Sequence, residues 1–189
     1  MNLKKFLISV FILFFNSINS EIKTIEFGNF DDADLMKIEM MNEIIDVWRA
    51  YLKDINWQDL IRDVKPRETG CGLVYELGHP IDRANEDFAI VDMRNLKWSE
   101  PHYHSETEIY FIMQGSGLVV IGDQEKLVKQ NDIVVVPSNI AHFVIPEKDL
   151  VLGVVCHPPF DPAHYIALTQ ENKSVQFDKN QFDSYILCS

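Results

Sequence analysis

The sequence predicts a mainly β domain, an antiparallel jelly-roll barrel, entered through an N-terminal helical extension. Three observations carry that prediction. From Cys71 onward, short apolar runs alternate with breaks rich in Gly, Pro, Asn and Asp, the pattern of evenly spaced strands in a sandwich or barrel. Ahead of Cys71 the apolar residues recur at three- and four-residue steps, which is the helical period. No internal repeat or low-complexity tract interrupts the sequence, so residues 21–189 amount to one domain with a core of its own.

In chain order, residues 1–20 read as a secretory signal peptide. Lys4 and Lys5 form a basic end, residues 6–15 an apolar run too short to cross a bilayer comfortably, and residues 16–20 a small polar close. Cleavage places the mature protein in the periplasm or outside the cell; an uncleaved segment leaves it membrane-anchored. Residues 21–70 form the helical extension. Acids at residues 31–34 supply a cap and a first turn, after which Leu35, Ile38, Met41, Ile45, Trp48 and Leu52 make an apolar stripe. Such a stripe must be buried, against the barrel or a second subunit. Asn56 caps a shorter helix through Ile61, and residues 66–72 close the section. Residues 71–160 hold the barrel, with strands expected at 73–77, 88–93, 108–113, 117–121, 133–136, 142–145 and 150–156. Residues 161–189 form a tail, ending Tyr185-Ile186-Leu187, expected to pack on the barrel as a strand or clasp.

Charge narrows the function classes. There are 29 acidic against 17 basic residues, a net charge of −12 that loss of Lys4 and Lys5 makes more negative. Such a surface repels phosphate backbones and anionic lipid, so neither nucleic acid nor membrane is an expected partner of the mature chain. The front helices are also too few for an attached DNA-binding domain. Cys71, Cys156 and Cys188 include no CxxC pair, which argues against zinc-ribbon and thioredoxin chemistry. An oxidising compartment allows one disulfide with one thiol left over, and the pairing stays open. Cys71 and Cys156 otherwise read as buried, inert thiols.

The informative stretch is Pro101-His102-Tyr103-His104-Ser105-Glu106-Thr107-Glu108. Side chains two apart on a strand point the same way, about 7 Å apart at Cα, so His102 and His104 can converge on one ion. A short turn follows, and Glu108 opens the next strand. His142 brings a third imidazole from the start of a later strand. Three imidazoles and a carboxylate suit a divalent first-row ion with positions left for water or substrate. Glu106 is the competing carboxylate, but it falls in the turn. Tyr110 and Ile112 share the inward parity of Glu108, as Val134 and Val136 share theirs. Tyr110 either offers its hydroxyl to a substrate or fills the barrel. His157 ends a strand and is a candidate acid or base, or a partly exposed strand-end histidine. His79 and His164 sit beside turns and read as surface residues.

Taken together, His102-x-His104-x3-Glu108-x6-Gly115, followed by Pro137-x4-His142, resembles the cupin superfamily. Its first motif, G-x5-H-x-H-x3/4-E-x6-G, is matched except that Leu96 replaces the opening glycine. In its second, G-x5-P-x-G-x2-H-x3-N, Asn131 and Asn139 replace the glycines and Pro146 the final asparagine. Asn is the residue after Gly most able to take positive φ, so both turns stay available. The resemblance implies a cupin double-stranded β-helix over roughly residues 71–160, with His102, His104, Glu108 and His142 holding one divalent metal. It also implies a homodimer and a small-molecule ligand. Within the superfamily the same ligand set serves dioxygenases, isomerases, epimerases, decarboxylases, lyases and proteins that only bind, so the fold leaves the reaction open. Oxygenation needs a redox metal such as iron; proton transfer works with manganese, zinc or nickel. The expected function is an exported metal-dependent oxygenase, or an isomerase or lyase, acting on an oxygen-rich small molecule. The alternative is a non-catalytic module that binds a small ligand or the metal.

Overall fold

The structure, a computed structural model, describes residues 14–15, 32–81, 84–122 and 124–168. Most of the expected leader, the 185–187 clasp and Cys188 lie outside these residues. Two helices, α1 (Asp32–Leu52) and α2 (Trp57–Ile61), precede the main run of strands. The strands are β1 (Phe14–Phe15), β2 (Arg67–Thr69), β3 (Gly72–Gly78), β4 (Asp87–Asp92), β5 (His102–Tyr103), β6 (Thr107–Ile121), β7 (Gln124–Lys129), β8 (Ile133–Val136), β9 (His142–His157) and β10 (Ile166–Ala167). They join in one antiparallel sheet whose main order is β1-β8-β6-β9-β4-β3-β2, with β7 on β6 and β5 between β9 and β10. Strands β2 and β10 extend the sheet beyond residues 71–160.

The sheet curls on two long strands. β6 and β9 pair from Thr107↔His157 to Ile121↔His142. One half of β6 also pairs β8 and the other half β7. The sequence pattern predicts two strands in each of these spans; the structure joins them. Its reason is a bulge where a turn was expected, since the register shifts between Ile112 and Gly117 while pairing continues. A bulge bends a strand and sharpens its twist without ending it. Gly115 sits there at φ +78, and a Cβ would come within 2.0 Å of the Lys148 carbonyl oxygen. Only glycine fits that crossing. Strands β2 and β7 have no apolar alternation to betray them: Arg67 and Glu68 are exposed, and Val128 is the one buried residue of β7.

Alternation along the strands divides the core into two faces. Ile109 and Phe111 of β6, Ile133 and Val135 of β8, and Val151 and Val155 of β9 point outward. There they meet Met41, Ile44, Ile45, Trp48 and Leu52 of α1 and Trp57 of α2. The helical extension therefore covers the outer face of the barrel. Trp48 is fully buried, stacks on Phe88 at 4.8 Å between ring centroids, and donates its indole N–H to Glu86 Oε2 at 2.6 Å. The opposite parity, Tyr110, Ile112, Val134, Val136, Leu152, Val154 and Cys156, faces the barrel interior. Asn56 caps α2 as the sequence predicts, accepting from the Gln58 N–H.

The departures from the cupin motifs have local explanations. Asn131 and Asn139 adopt φ of 74 and 60, the left-handed region that glycine would otherwise fill. Leu96 closes a turn by donating its N–H to the Met93 carbonyl and is absent from the positive-φ residues. Its side chain packs on the inner core, so the position makes no demand that only glycine meets. Asn131→Gly is expected to leave unfolding free energy within about 1 kcal/mol of wild type, whereas Asn131→Val loses roughly 1–2 kcal/mol to the left-handed backbone. Denaturant titration of the two variants checks this; equal stabilities would show that φ is not the constraint.

Candidate metal centre

Backbone pairing brings the four donors together. β5 lies beside β9 with His102 directly opposite His142, and β10 flanks its other side. The loop ahead of His102 is clamped to β9 through Ser99: its N–H donates to the Val144 carbonyl, and its hydroxyl accepts the Val144 N–H, both at 2.8 Å. Just after β5, the His104 carbonyl accepts from the Asn139 N–H at 2.7 Å. That bond ties the turn of the second motif to a histidine of the first. Glu108 stands near the start of β6, opposite Cys156 and Val136.

His102, His104, Glu108 and His142 are all buried, and one donor atom from each lies within 4.8 Å of the others. Glu108 Oε1 is 3.4 Å from His104 Nε2, and Oε2 is 3.3 Å from His142 Nε2. His104 Nε2 and His142 Nε2 make no hydrogen bond. Ligand bonds of about 2.0–2.2 Å put neighbouring donors roughly 3–3.5 Å apart around one ion, and these separations match. The far nitrogens agree. His102 Nδ1 donates to the Glu100 carbonyl at 2.7 Å and His142 Nδ1 to the Ile140 carbonyl at 2.8 Å, which leaves Nε2 of each as the lone-pair nitrogen. Buried imidazole nitrogens without partners, aimed at one carboxylate, fit a divalent ion.

Protonation follows from burial and charge. Burial foremost, with His142 beside it, pushes His102 down to about 3, so its ring stays neutral. For His104 burial also lowers the pKa, but the Glu108 and Glu106 carboxylates outweigh it and the net shift is upward. Burial would raise Glu108; the facing His104 and His142 rings outweigh that and hold it well below the usual range. Without metal, the His102 contribution to stability is lost as pH falls from 6.5 toward 3, because only the unfolded chain takes up that proton readily. The His104 contribution runs the other way, present below 6.5 and lost as pH rises through its raised folded pKa. Metal must displace the His104 proton. Titration of a divalent ion into metal-free protein at pH 6.5 is therefore expected to release a proton, measured as a buffer-dependent binding enthalpy. Independence from buffer ionisation would contradict this assignment.

Tyr110 and Glu108 form a unit: the hydroxyl donates to Glu108 Oε2 at 2.7 Å, and burial with the adjacent carboxylate raises the phenol well above its ordinary pKa. His157 is elsewhere. Cys156 lines the cavity beside the donors; His157 follows it at the opposite parity, pairs with Thr107 across the sheet, and is not among the lining residues. The cavity measures about 550 Å³ and takes in His102, Glu108, Tyr110 and apolar walls such as Val91 and Leu152. Cys71 and Cys156 are free thiols, each raised by burial, Cys71 to about 12. Sequence reasoning missed Tyr165 and weighed Glu106 only as a competing ligand. Tyr165 stacks on the His102 ring at 4.5 Å and donates its hydroxyl to Glu100 Oε2 at 2.8 Å. Glu106, placed in the turn by its position, is buried against His104. Their signal is tertiary: residues 161–167 fold back over the site, and nothing in local periodicity reports it.

The cupin domain model matches residues 91–156, from the end of β4 almost to the end of β9. An uncharacterized protein of Methanocaldococcus jannaschii is 30% identical over 105 residues, which is 51% of this chain and 82% of that one. The chain belongs to the cupin superfamily. This cupin is also 29% identical over 70 residues to a gentisate 1,2-dioxygenase of Haloferax, covering 36% of this chain and a fifth, 20%, of the dioxygenase. Among solved structures, the Lactobacillus farciminis oxalate decarboxylase–formate complex superposes with a TM-score of 0.50 at 21% identity, over 68% of this chain and 40% of that one. That likeness concerns the fold.

Proposed function

We propose that this cupin is a metal-dependent enzyme acting on an oxygen-rich small molecule inside the barrel, with oxygenase chemistry ahead of isomerase or lyase chemistry. The observation that carries the reading is the buried four-donor cluster, two of whose members, His102 and Glu108, line the interior cavity. The ion would be held by His102, His104, Glu108 and His142, and when bound it supplies a Lewis acid with open positions for paired substrate oxygens. Isomerisation or elimination also asks for a side chain that moves a proton. Tyr110 has its hydroxyl committed to Glu108, and His157 stands at the opposite parity to the inward-facing Cys156. Oxygenation places the smaller demand on such residues. The partial similarity to gentisate 1,2-dioxygenase supports the same direction.

The lining also bears on the substrate. Arg67 is its one basic Lys or Arg side chain, and it is paired with Glu76 at 2.5 Å, while Asp87 and Glu100 add negative charge. A neutral catechol-like or enediol compound suits these walls better than a polyanion. Export is part of the proposal, supported by the basic-apolar-polar order of residues 1–20.

That neither candidate acid or base, Tyr110 or His157, is free on the cavity wall also favours a second reading, a module that binds ligand without turnover. Anaerobic loading with ferrous iron, followed by addition of catechol-like, enediol and hydroxyacid compounds under air, separates the two. Substrate-dependent oxygen uptake that vanishes in His104→Ala is expected. Saturable binding with neither oxygen uptake nor product would establish the binding module instead.

A further inference from the structure

The four donors leave one buried carboxylate over. Glu106 lies in the turn between β5 and β6 with 1% of its surface exposed. Its Oε2 is 3.3 Å from His104 Nδ1, an ion-pair distance, and neither atom makes a hydrogen bond. Its Oε1 accepts from His164 Nδ1 at 2.6 Å and from the Ser105 hydroxyl at 3.2 Å. Thus Glu106 faces the far side of a ring whose near nitrogen faces Glu108, and it is pinned from behind by a residue outside the barrel.

A carboxylate in that place does three things for a metal site. It fixes the tautomer with hydrogen on Nδ1, turns the Nε2 lone pair toward the ion, and makes that nitrogen more basic. It also bears on charge. A divalent ion held by three neutral imidazoles and Glu108 keeps one net positive charge, which is costly to bury; a second carboxylate cancels it. His102 and His142 have only backbone carbonyls at their far nitrogens. Among the donors, His104 alone has a carboxylate behind it.

The geometry points to Glu106 as the positioning residue of His104, held in register by His164 of the segment that follows the barrel. The inference rests on the metal-centre reading and goes beyond it: residues 161–164 belong to the site's outer support. The sequence places Glu106 in a turn and His164 on the surface, as the structure does, but gives no sign that the two meet. His164 is half-exposed, yet its Nδ1 faces both Glu106 Oε1, at 2.6 Å, and the Ser105 hydroxyl, at 2.7 Å.

Cobalt(II) titrated into the metal-free full chain tests this through affinity and the visible absorption of the bound ion. Glu106→Ala is expected to weaken binding by about 10- to 100-fold and to alter the cobalt spectrum, and Glu106→Gln to recover part of the loss. His164→Ala, at a half-exposed position, should stay folded without metal, weaken cobalt in the same direction, and add nothing on top of Glu106→Ala. Unchanged cobalt affinity and spectrum in Glu106→Ala and His164→Ala, with wild type binding normally, would overturn this proposal alone. Additive losses in the double variant would overturn the coupling to His164. No cobalt binding by wild type would bring down the metal centre together with it.

Discussion

Trp48→Ala is expected to destabilise the fold by about 4 kcal/mol, the range for removing a buried tryptophan from a packed core. Trp48 is the central contact of α1 with the outer face of the barrel. It is fully buried, stacked on Phe88 and edge-on to Tyr51 at 5.7 Å, with its indole N–H on Glu86. Truncation removes the ring contacts and a short hydrogen bond together, and the surrounding Ile44, Ile45 and Val155 cannot close the gap without moving a helix. Thermal unfolding should fall by roughly 10 °C for a chain of this size. Trp48→Phe, which keeps the stack and loses only the donor, should cost much less. Wild-type stability in Trp48→Ala would mean that the helical extension is not part of the cooperative unit.

Glu108→Ala is expected to weaken divalent-metal binding by more than the roughly 100-fold that loss of an orienting partner can cause, because Glu108 is the anionic donor among the four. The same substitution removes the acceptor of the Tyr110 hydroxyl and of the Cys156 thiol, whose sulfur lies 3.6 Å away. It has a second readout. Glu108 leads the interactions that raise the His104 pKa against burial, so without it the ring should lose its proton at lower pH. Residual metal binding in the variant should then release little proton near pH 6.5. Calorimetry in two buffers, with NMR titration of the His104 ring, measures both effects. Unaltered affinity and unaltered proton release would remove Glu108 from the site.

The parts of the site that could be read in the sequence are those that strand geometry alone brings together. His102 and His104 are two apart on an extended segment, Glu108 opens the strand after a short turn, and His142 pairs directly with His102. The inward parity of Tyr110 and Ile112 follows from the same period of two and agrees with the inner core. Asn131 and Asn139 could be understood as glycine substitutes because their short polar side chains tolerate positive φ. Leu96 could not, because whether that position needed glycine depends on a backbone angle that the residue name does not give. Long-range packing hid the rest. Gln114-Gly115-Ser116 reads as a turn until β9 is laid against it. Glu106 reads as a turn carboxylate competing with Glu108 until His164 returns from the following segment, and Tyr165 as part of a tail until it stacks on His102.

Metal analysis of the purified chain beside His104→Ala shows whether the four donors hold an ion. His104 Nε2 is buried without a hydrogen bond and 3.4 Å from Glu108, a position that an ion between the two would occupy. The predicted result is one divalent ion per wild-type chain and a large loss of it in the variant, with both proteins folded. Equal metal in the two proteins, or none in wild type after loading with iron, manganese, zinc or nickel, would contradict the account.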